Sequence, residues 1–182
     1  GYLLFDLRGG ITTPPVLFPE PVTERYTFEA VVSGEGRFNI ICDRGDSYKA
    51  IVFNLGNRIA FREYPNNRPG PERIIGFVEN LTDGSRHTWR IEVNAGTLAV
   101  AIDRIPVGRV AMSKAPDSRY RVGFVGHDKK ARVENPTLTS GEQVYGVDAD
   151  RQVGDSWKTT LPPGFSLPDQ SSVYPVLKHR LR

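Results

Sequence analysis

The chain has 182 residues, enough for one domain with a substantial buried core. Hydrophobic residues make up 38% and charged residues 25% of the sequence, a composition typical of globular proteins. The 24 basic and 21 acidic residues are interleaved, so the formal charge of +3 argues against the concentrated basic face of a nucleic-acid-binding protein. No stretch approaches the roughly 18 apolar residues of a membrane span. The single cysteine, Cys42, excludes an internal disulfide.

Short runs that alternate between apolar and polar residues dominate the first half of the chain. The first strand is predicted in RYTFEAVVSGEG, with one face formed by Tyr26, Phe28, Ala30 and Val32. A second strand is predicted in RFNIICD. The next run, YKAIVFNL, is apolar on both faces, which predicts a central strand. Between these two runs lies Arg44-Gly45-Asp46-Ser47, which has the residues of a turn and is interpreted as a strand boundary rather than as a cell-attachment motif.

The alternation continues through the second half of the chain. Further strands are predicted in RIAFREY, RIIGFVE, HTWRIEV, TLAVAID, RIPVGRVAM, RYRVGFVGH and ARVENPTLTS. A tight turn at Asn94-Ala95-Gly96 makes a hairpin of HTWRIEV and TLAVAID, with Trp89 facing the core. No stretch combines helical periodicity with helix caps. About ten strands at intervals of roughly eight to twelve residues predict an all-β, antiparallel β-sandwich.

Composition divides the chain into three parts. Residues 22–140 carry the strand pattern and are predicted to form the β-sandwich domain. Residues 1–21 and 141–182 are rich in proline, glycine and isolated aromatic residues, and are predicted to be irregular N- and C-terminal segments.

The stretches HTWRIEVNAGTLAVAIDRIPVGRV and RYRVGFVGHDKKARVENPTLTS together resemble the concanavalin A-like lectin and glucanase superfamily. The spacing is also similar to laminin G-like modules and to the 3-keto-disaccharide hydrolases on the same jelly roll. The resemblance implies a jelly-roll fold. It departs from the family pattern at Arg104-Ile105, which stands where Asp-Gly would be typical, and that turn is expected to use another geometry.

This fold hosts lectins, glycosidases and adhesion modules, so three functions stay open. The leading hypothesis is a non-catalytic carbohydrate-binding domain, secreted or at the cell surface, whose partner is a glycan and whose preference is for acidic glycans. The first alternative is a glycoside-processing enzyme that resembles the 3-keto-disaccharide hydrolases. The second is a structural or adhesion module of the laminin G type. The oligomeric state is left open.

The predicted binding residues are those expected to point away from the core. Arginine, asparagine and carboxylate groups bind sugar hydroxyls, and an aromatic ring covers the C–H face of a sugar. If their strands are neighbours, these residues make a cationic face suited to an acidic glycan. The predicted ligand-binding residues are Arg37, Asn39, Arg62, Tyr64, Arg90, Glu92 and Arg121.

The sequence offers little sign of catalysis or of a cofactor. A retaining glucanase needs two carboxylates close together on one strand face, and no Glu-x-Asp-x-x-Glu run is present. The pair His127-Asp128 is a conceivable catalytic pair, but a surface turn is the preferred interpretation. No cofactor is expected apart from calcium, for which Asp148 and Asp150 are the candidate metal ligands.

Overall fold

The structure is a computed structural model that describes residues 2–6, 16–17, 25–34, 37–42, 48–81, 84–113, 120–124, 131–146 and 151–154. In this part of the chain a single 3-10 turn, Pro65–Asn67, accompanies fourteen strands. The strands are β1 Tyr2–Asp6, β2 Val16–Leu17, β3 Arg25–Gly34, β4 Arg37–Cys42, β5 Lys49–Leu55, β6 Arg58–Tyr64, β7 Arg73–Phe77, β8 Arg86–Asn94, β9 Thr97–Ile102, β10 Ile105–Ala111, β11 Tyr120–Phe124, β12 Ala131–Ser140, β13 Gln143–Gly146 and β14 Arg151–Gly154.

The strands form two sheets that pack face to face. The eight-stranded sheet has the order β10-β9-β8-β3-β12-β1-β14, and β13 also pairs with β12. The six-stranded sheet has the order β2-β11-β4-β5-β6-β7. All pairs are antiparallel except β1 with β14, which is parallel. Each of the ten strands predicted from alternation is present, and the predicted antiparallel β-sandwich is confirmed.

Four further strands lie outside residues 22–140. β1 and β2 fall in residues 1–21, and β13 and β14 fall in residues 141–182. Each has two to five residues, too few to show an alternating period. β1, β2 and β14 are held by pairing with strands distant in the chain or with each other, and β13 forms a hairpin with β12. The Arg44–Ser47 turn lies outside the described residues, although β4 and β5 on either side of it pair antiparallel. The described residues contain no helix long and apolar enough to cross a membrane.

The core lies between the two sheets and contains the residues that alternation placed there. From β3, Tyr26, Phe28, Ala30 and Val32 are all buried, and Trp89 of β8 is only 1% exposed. The ring of Phe28 meets that of Phe124 from the opposite sheet at 4.7 Å between centroids, tilted by 54°. Tilted aromatic pairs of this kind add to the apolar burial that holds the sheets together.

The two sheets approach closely along one edge, where β7 meets β10. A Cβ added to Gly76 would lie 2.5 Å from Val107 Cγ1 and 2.8 Å from the Val107 carbonyl oxygen. A Cβ added to Gly108 would lie 2.4 Å from the carbonyl oxygen of Ile75. Both positions therefore require glycine, because any side chain would push the two edge strands apart.

Near this edge Glu63 joins the two sheets through a network of hydrogen bonds. Its Oε1 accepts from the hydroxyl of Tyr48 at 2.6 Å and from the backbone N–H and hydroxyl of Ser113 at 2.6 and 2.7 Å. Its Oε2 pairs with Arg73 at 2.6 Å, and Arg73 also donates to the carbonyl of Ala111 at 2.8 Å. Strands β6 and β7 of one sheet are thereby tied to the end of β10 in the other.

We expect Glu63→Gln to destabilise the fold by about 2 kcal/mol, since an amide loses the charge and turns an NH₂ group toward donors. Urea denaturation measures the change. Glu142→Gln, at an exposed turn position, is the matched control and should change stability by less than about 0.5 kcal/mol. Equal effects of the two substitutions would contradict the structural role of this network.

The turn between β9 and β10 places two residues other than glycine in the left-handed region. Asp103 has φ 51° and Arg104 has φ 68°, as a two-residue type I′ hairpin requires. The expectation of another geometry at this turn is therefore wrong. Asp103 holds the conformation by accepting a hydrogen bond from the Thr88 N–H at 2.8 Å and by donating its own N–H to the Thr88 carbonyl at 2.8 Å.

Arg104→Gly should stabilise the protein by about 0.5–1 kcal/mol, because glycine adopts positive φ without the penalty that a side chain brings. Urea denaturation again provides the measurement. The control is Arg109→Gly on β10, the same chemical change at a strand position, where added backbone freedom should lower stability. A loss of stability for Arg104→Gly would show that its side chain outweighs the strain.

Candidate functional site

The structure divides the seven predicted ligand-binding positions between the two sheets. Five of them lie on β4, β6 and β11 of the six-stranded sheet, namely Arg37, Asn39, Arg62, Tyr64 and Arg121. The other two, Arg90 and Glu92, lie on β8 of the eight-stranded sheet. Both sets occupy positions that alternate with the core positions of their own sheet, so no single face collects all seven. Asp148 and Asp150 lie outside the described residues, and a calcium site there stays a prediction.

Strand register arranges the positions of the six-stranded sheet that face away from the core into three rows, called here the outer face. The rows are Arg121, Ile41, Lys49 and Tyr64; then Gly123, Asn39, Ile51 and Arg62; then Arg37, Phe53, Ala60 and Ile74. All five predicted positions of this sheet therefore share one face. Neighbouring strands are about 4.8 Å apart, so four adjacent strands span a surface large enough for several sugar rings.

The centre of the outer face is apolar. Ile51 and Phe53 are 7% and 6% exposed, Ala60 is fully buried, and Leu55 and Tyr64 pack against them in a cluster separate from the main core. Strand β5 thus has apolar side chains on both of its faces, and it lies between β4 and β6 as predicted for a central strand. The result is an apolar patch with polar and charged positions around it.

On the first row, the Lys49 ammonium lies 4.6 Å from the centre of the Tyr64 ring, within the range of a cation–π contact. The contact follows from the register, which puts Lys49 directly opposite Tyr64. Burial lowers the pKa of Lys49 below its ordinary value of 10.5, because the charged ammonium is partly removed from water.

On the second row, Arg62 is only partly neutralised. One terminal nitrogen of its guanidinium pairs with Glu72 at 3.1 Å. Its Nε is buried and has no hydrogen-bond partner among the described residues. An unsatisfied buried donor costs free energy and is uncommon in folded proteins. The Arg62 side chain as a whole is 33% exposed, so the outer part of the guanidinium can reach a ligand even though Nε is buried.

Arg90 and Glu92 line a different feature, a shallow trough of about 360 Å³ on the eight-stranded sheet. Its floor is formed by Ala99 and Ala101 of β9, and β10 supplies the far wall, which includes Arg109. Arg90 lies 3.3 Å from Glu29 and 3.6 Å from Glu92. These carboxylates balance the two guanidinium groups, so the trough has no excess of positive charge.

Comparisons with known proteins agree with this architecture. Neither a scan of protein-family models nor a search of curated proteins finds a match. Among solved structures, sheep galectin-11 in complex with glycerol has a TM-score of 0.56 at 11% identity. The match covers 69% of this chain and 97% of the galectin chain. The carbohydrate-binding module CBM66 from Bacillus subtilis has a TM-score of 0.51 at 12% identity, and the match covers 75% of this chain and 98% of the module. A Bacillus licheniformis β-glucanase has a TM-score of 0.51 at 9% identity, and the match covers 68% of this chain and 69% of the glucanase.

The chain has the concanavalin A-like jelly-roll fold. Identities this low show the fold alone, and both binding proteins and a glucanase share it. The function of this jelly roll must therefore be argued from its own surface.

Two residues at this site were missed in the sequence: Lys49, which lies on the outer face, and Glu72, which pairs with Arg62 from outside the three rows. A signal for Lys49 existed, because a two-residue loop at Gly56-Asn57 fixes the register of the β5–β6 hairpin and with it the Lys49–Tyr64 pair. Glu72 precedes β7 in a loop rich in proline and glycine, and only the folded chain brings it to Arg62.

Proposed function

We propose that this jelly roll is a carbohydrate-binding domain and that the outer face of the six-stranded sheet binds the glycan without catalysing its cleavage. The observation that carries the proposal is that the guanidinium of Arg62 and the ring of Tyr64, both partly exposed, lie on adjacent rows of this face. Sugars need hydrogen-bond donors for their hydroxyls and an apolar surface for their C–H face. Arg62 supplies the donors, and Tyr64, two residues further along β6, supplies the apolar ring.

The preferred ligand is an acidic glycan that carries carboxylate or sulfate groups. Lys49 and Arg62 are basic, and the register adds the positions of Arg37 and Arg121 to the same face. Glu72 is the described carboxylate paired with them, through Arg62. Guanidinium groups bind carboxylate and sulfate strongly because two N–H groups meet two oxygens.

Two fold relatives support a binding role, since one is named as a galectin and another as a carbohydrate-binding module. A glycan partner of this kind belongs to a secreted or cell-surface setting, which is part of the proposal. No hydrolytic step is assigned to the outer face, because Glu72 is held in its ion pair with Arg62.

The first test is binding to dextran sulfate, with unsulfated dextran of equal length as the matched ligand. We expect binding to the sulfated polymer and a loss of about 10- to 100-fold for Arg62→Ala, the usual effect of deleting a charged hydrogen-bond donor. Arg109→Ala, on the opposite sheet, should bind as the wild type does. Isothermal titration calorimetry gives the affinities, and thermal unfolding checks that each variant is folded.

Failure to bind dextran sulfate and every acidic glycan on an array would overturn the ligand class. Equal losses for Arg62→Ala and Arg109→Ala would move the site away from the outer face.

The second test uses the lowered pKa of Lys49. Its ammonium is charged below that pKa and neutral above it, so affinity for dextran sulfate should fall as pH rises, starting below pH 10.5. Lys49→Arg keeps its charge over this range, since the arginine pKa lies above about 12, and should flatten the pH dependence. Lys49→Met should bind weakly at every pH. A pH profile that Lys49→Arg leaves unchanged would exclude Lys49 from the site.

A further inference from the structure

Three side chains at the start of β8 form a continuous hydrogen-bonded chain. Nδ1 of His87 lies 2.7 Å from Oδ2 of Asp103. Nε2 of the same ring lies 2.7 Å from the hydroxyl oxygen of Ser85. A carboxylate on one ring nitrogen and a serine hydroxyl on the other is the arrangement that activates a nucleophile.

The surroundings of the ring support this assignment of roles. Burial acts to raise the pKa of Asp103, but hydrogen bonds from His87 and from the Thr88 N–H outweigh it, and the pKa lies below its ordinary value of 3.8. Asp103 is therefore an acceptor near neutral pH and orients the Nδ1–H of His87 toward itself. Nε2 is left to act as the base toward Ser85. The Asn80 carbonyl lies 3.3 Å from Nε2, and it also accepts a hydrogen bond from the Ser85 hydroxyl at 3.4 Å.

The site is open, and its backbone is strained. Ser85 is exposed, and it follows Gly84, whose φ is +91° and beside which a Cβ would meet no atom within 4 Å. Asn80 and Asp103, which both contact His87, have φ of 58° and 51°. Left-handed residues other than glycine cost free energy and concentrate at functional sites. The exposure of Ser85 gives an ester access to it from solvent.

We infer that Ser85, His87 and Asp103 form a nucleophilic triad that hydrolyses small acyl esters, an activity independent of the glycan site on the outer face. The Ser85 oxygen attacks the ester carbonyl, and its proton passes to Nε2 of His87. The C–O bond to the alcohol breaks as Nε2 returns that proton to the leaving oxygen. Water then repeats the sequence on the acyl-serine and releases the carboxylic acid, so water is the one co-reactant.

The decisive experiment is labelling of the wild-type protein with a fluorophosphonate, followed by mass spectrometry of the modified residue. We expect the label on Ser85, and hydrolysis of p-nitrophenyl acetate that the label abolishes. Because this measurement needs no variant, it stands even if a substitution prevents folding. Absence of a label on Ser85 would overturn the triad and leave these residues as a link between the loop before β8 and the β9–β10 turn.

Substitutions then separate a nucleophile from a structural serine. Ser85→Ala should abolish labelling and reduce hydrolysis to the background rate. His87→Gln should reduce both by about 10²- to 10⁴-fold, the usual contribution of a general base. Ser140→Ala is the control, because the Ser140 hydroxyl contacts a backbone carbonyl and not an imidazole. Hydrolysis that persists in Ser85→Ala, or labelling that persists in His87→Gln, would contradict the assignment.

Discussion

The register of the β5–β6 hairpin is the constraint on which the outer face depends. Because side chains alternate between the two faces of a strand, a slip of one residue would turn Ile51 and Phe53 toward the core and Val52 away from it. The two-residue loop at Gly56-Asn57 excludes that slip, since Leu55 pairs with Arg58 directly across it. The same register sets Lys49 opposite Tyr64 and Arg62 opposite Ile51. The register therefore places each of the two charged residues, Lys49 and Arg62, directly beside an apolar or aromatic side chain.

The same turn also forms hydrogen bonds with the segment between β7 and β8. The Asn57 carbonyl accepts the N–H of Val78 at 2.8 Å, and its side-chain oxygen accepts the N–H of Leu81 at 3.1 Å. Leu81 is 2% exposed and packs into the main core beneath the loop that leads to β8. Asn80, whose carbonyl contacts His87, lies between these two anchored residues. The loop that approaches His87 is thus held from the hairpin turn of the opposite sheet.

Alternation in the sequence was sufficient to predict most strands and the direction in which their side chains point. It could not predict which sheet a strand joins, because that depends on pairing between distant segments. β3, for example, pairs with β8 and β12 and not with β4, its successor in the chain. Arg62 and Arg90 therefore looked equivalent in the sequence and lie on opposite sides of the sandwich. The pair His87 and Asp103 was missed for a different reason: the hairpin of β8 and β9 that joins them was predicted, but its register was not followed to the end, where Asp103 reaches the start of β8.

The partner across the strand decides what each of these arginines can do. Arg90 stands directly opposite Glu29 on β3 and has Glu92 two residues along its own strand, so its charge is compensated within the sheet. On the same sheet, Glu134 pairs with both Arg86 and Arg132. Arg62 instead stands opposite Ile51, and its carboxylate partner comes from outside the strand register, at Glu72. Arg86, Arg90 and Arg132 therefore pair with carboxylates of their own sheet, whereas the Nε of Arg62 has no partner among the described residues. The net charge of +3 does not reveal this difference between Arg62 and Arg90, because it sums the charges of both sheets.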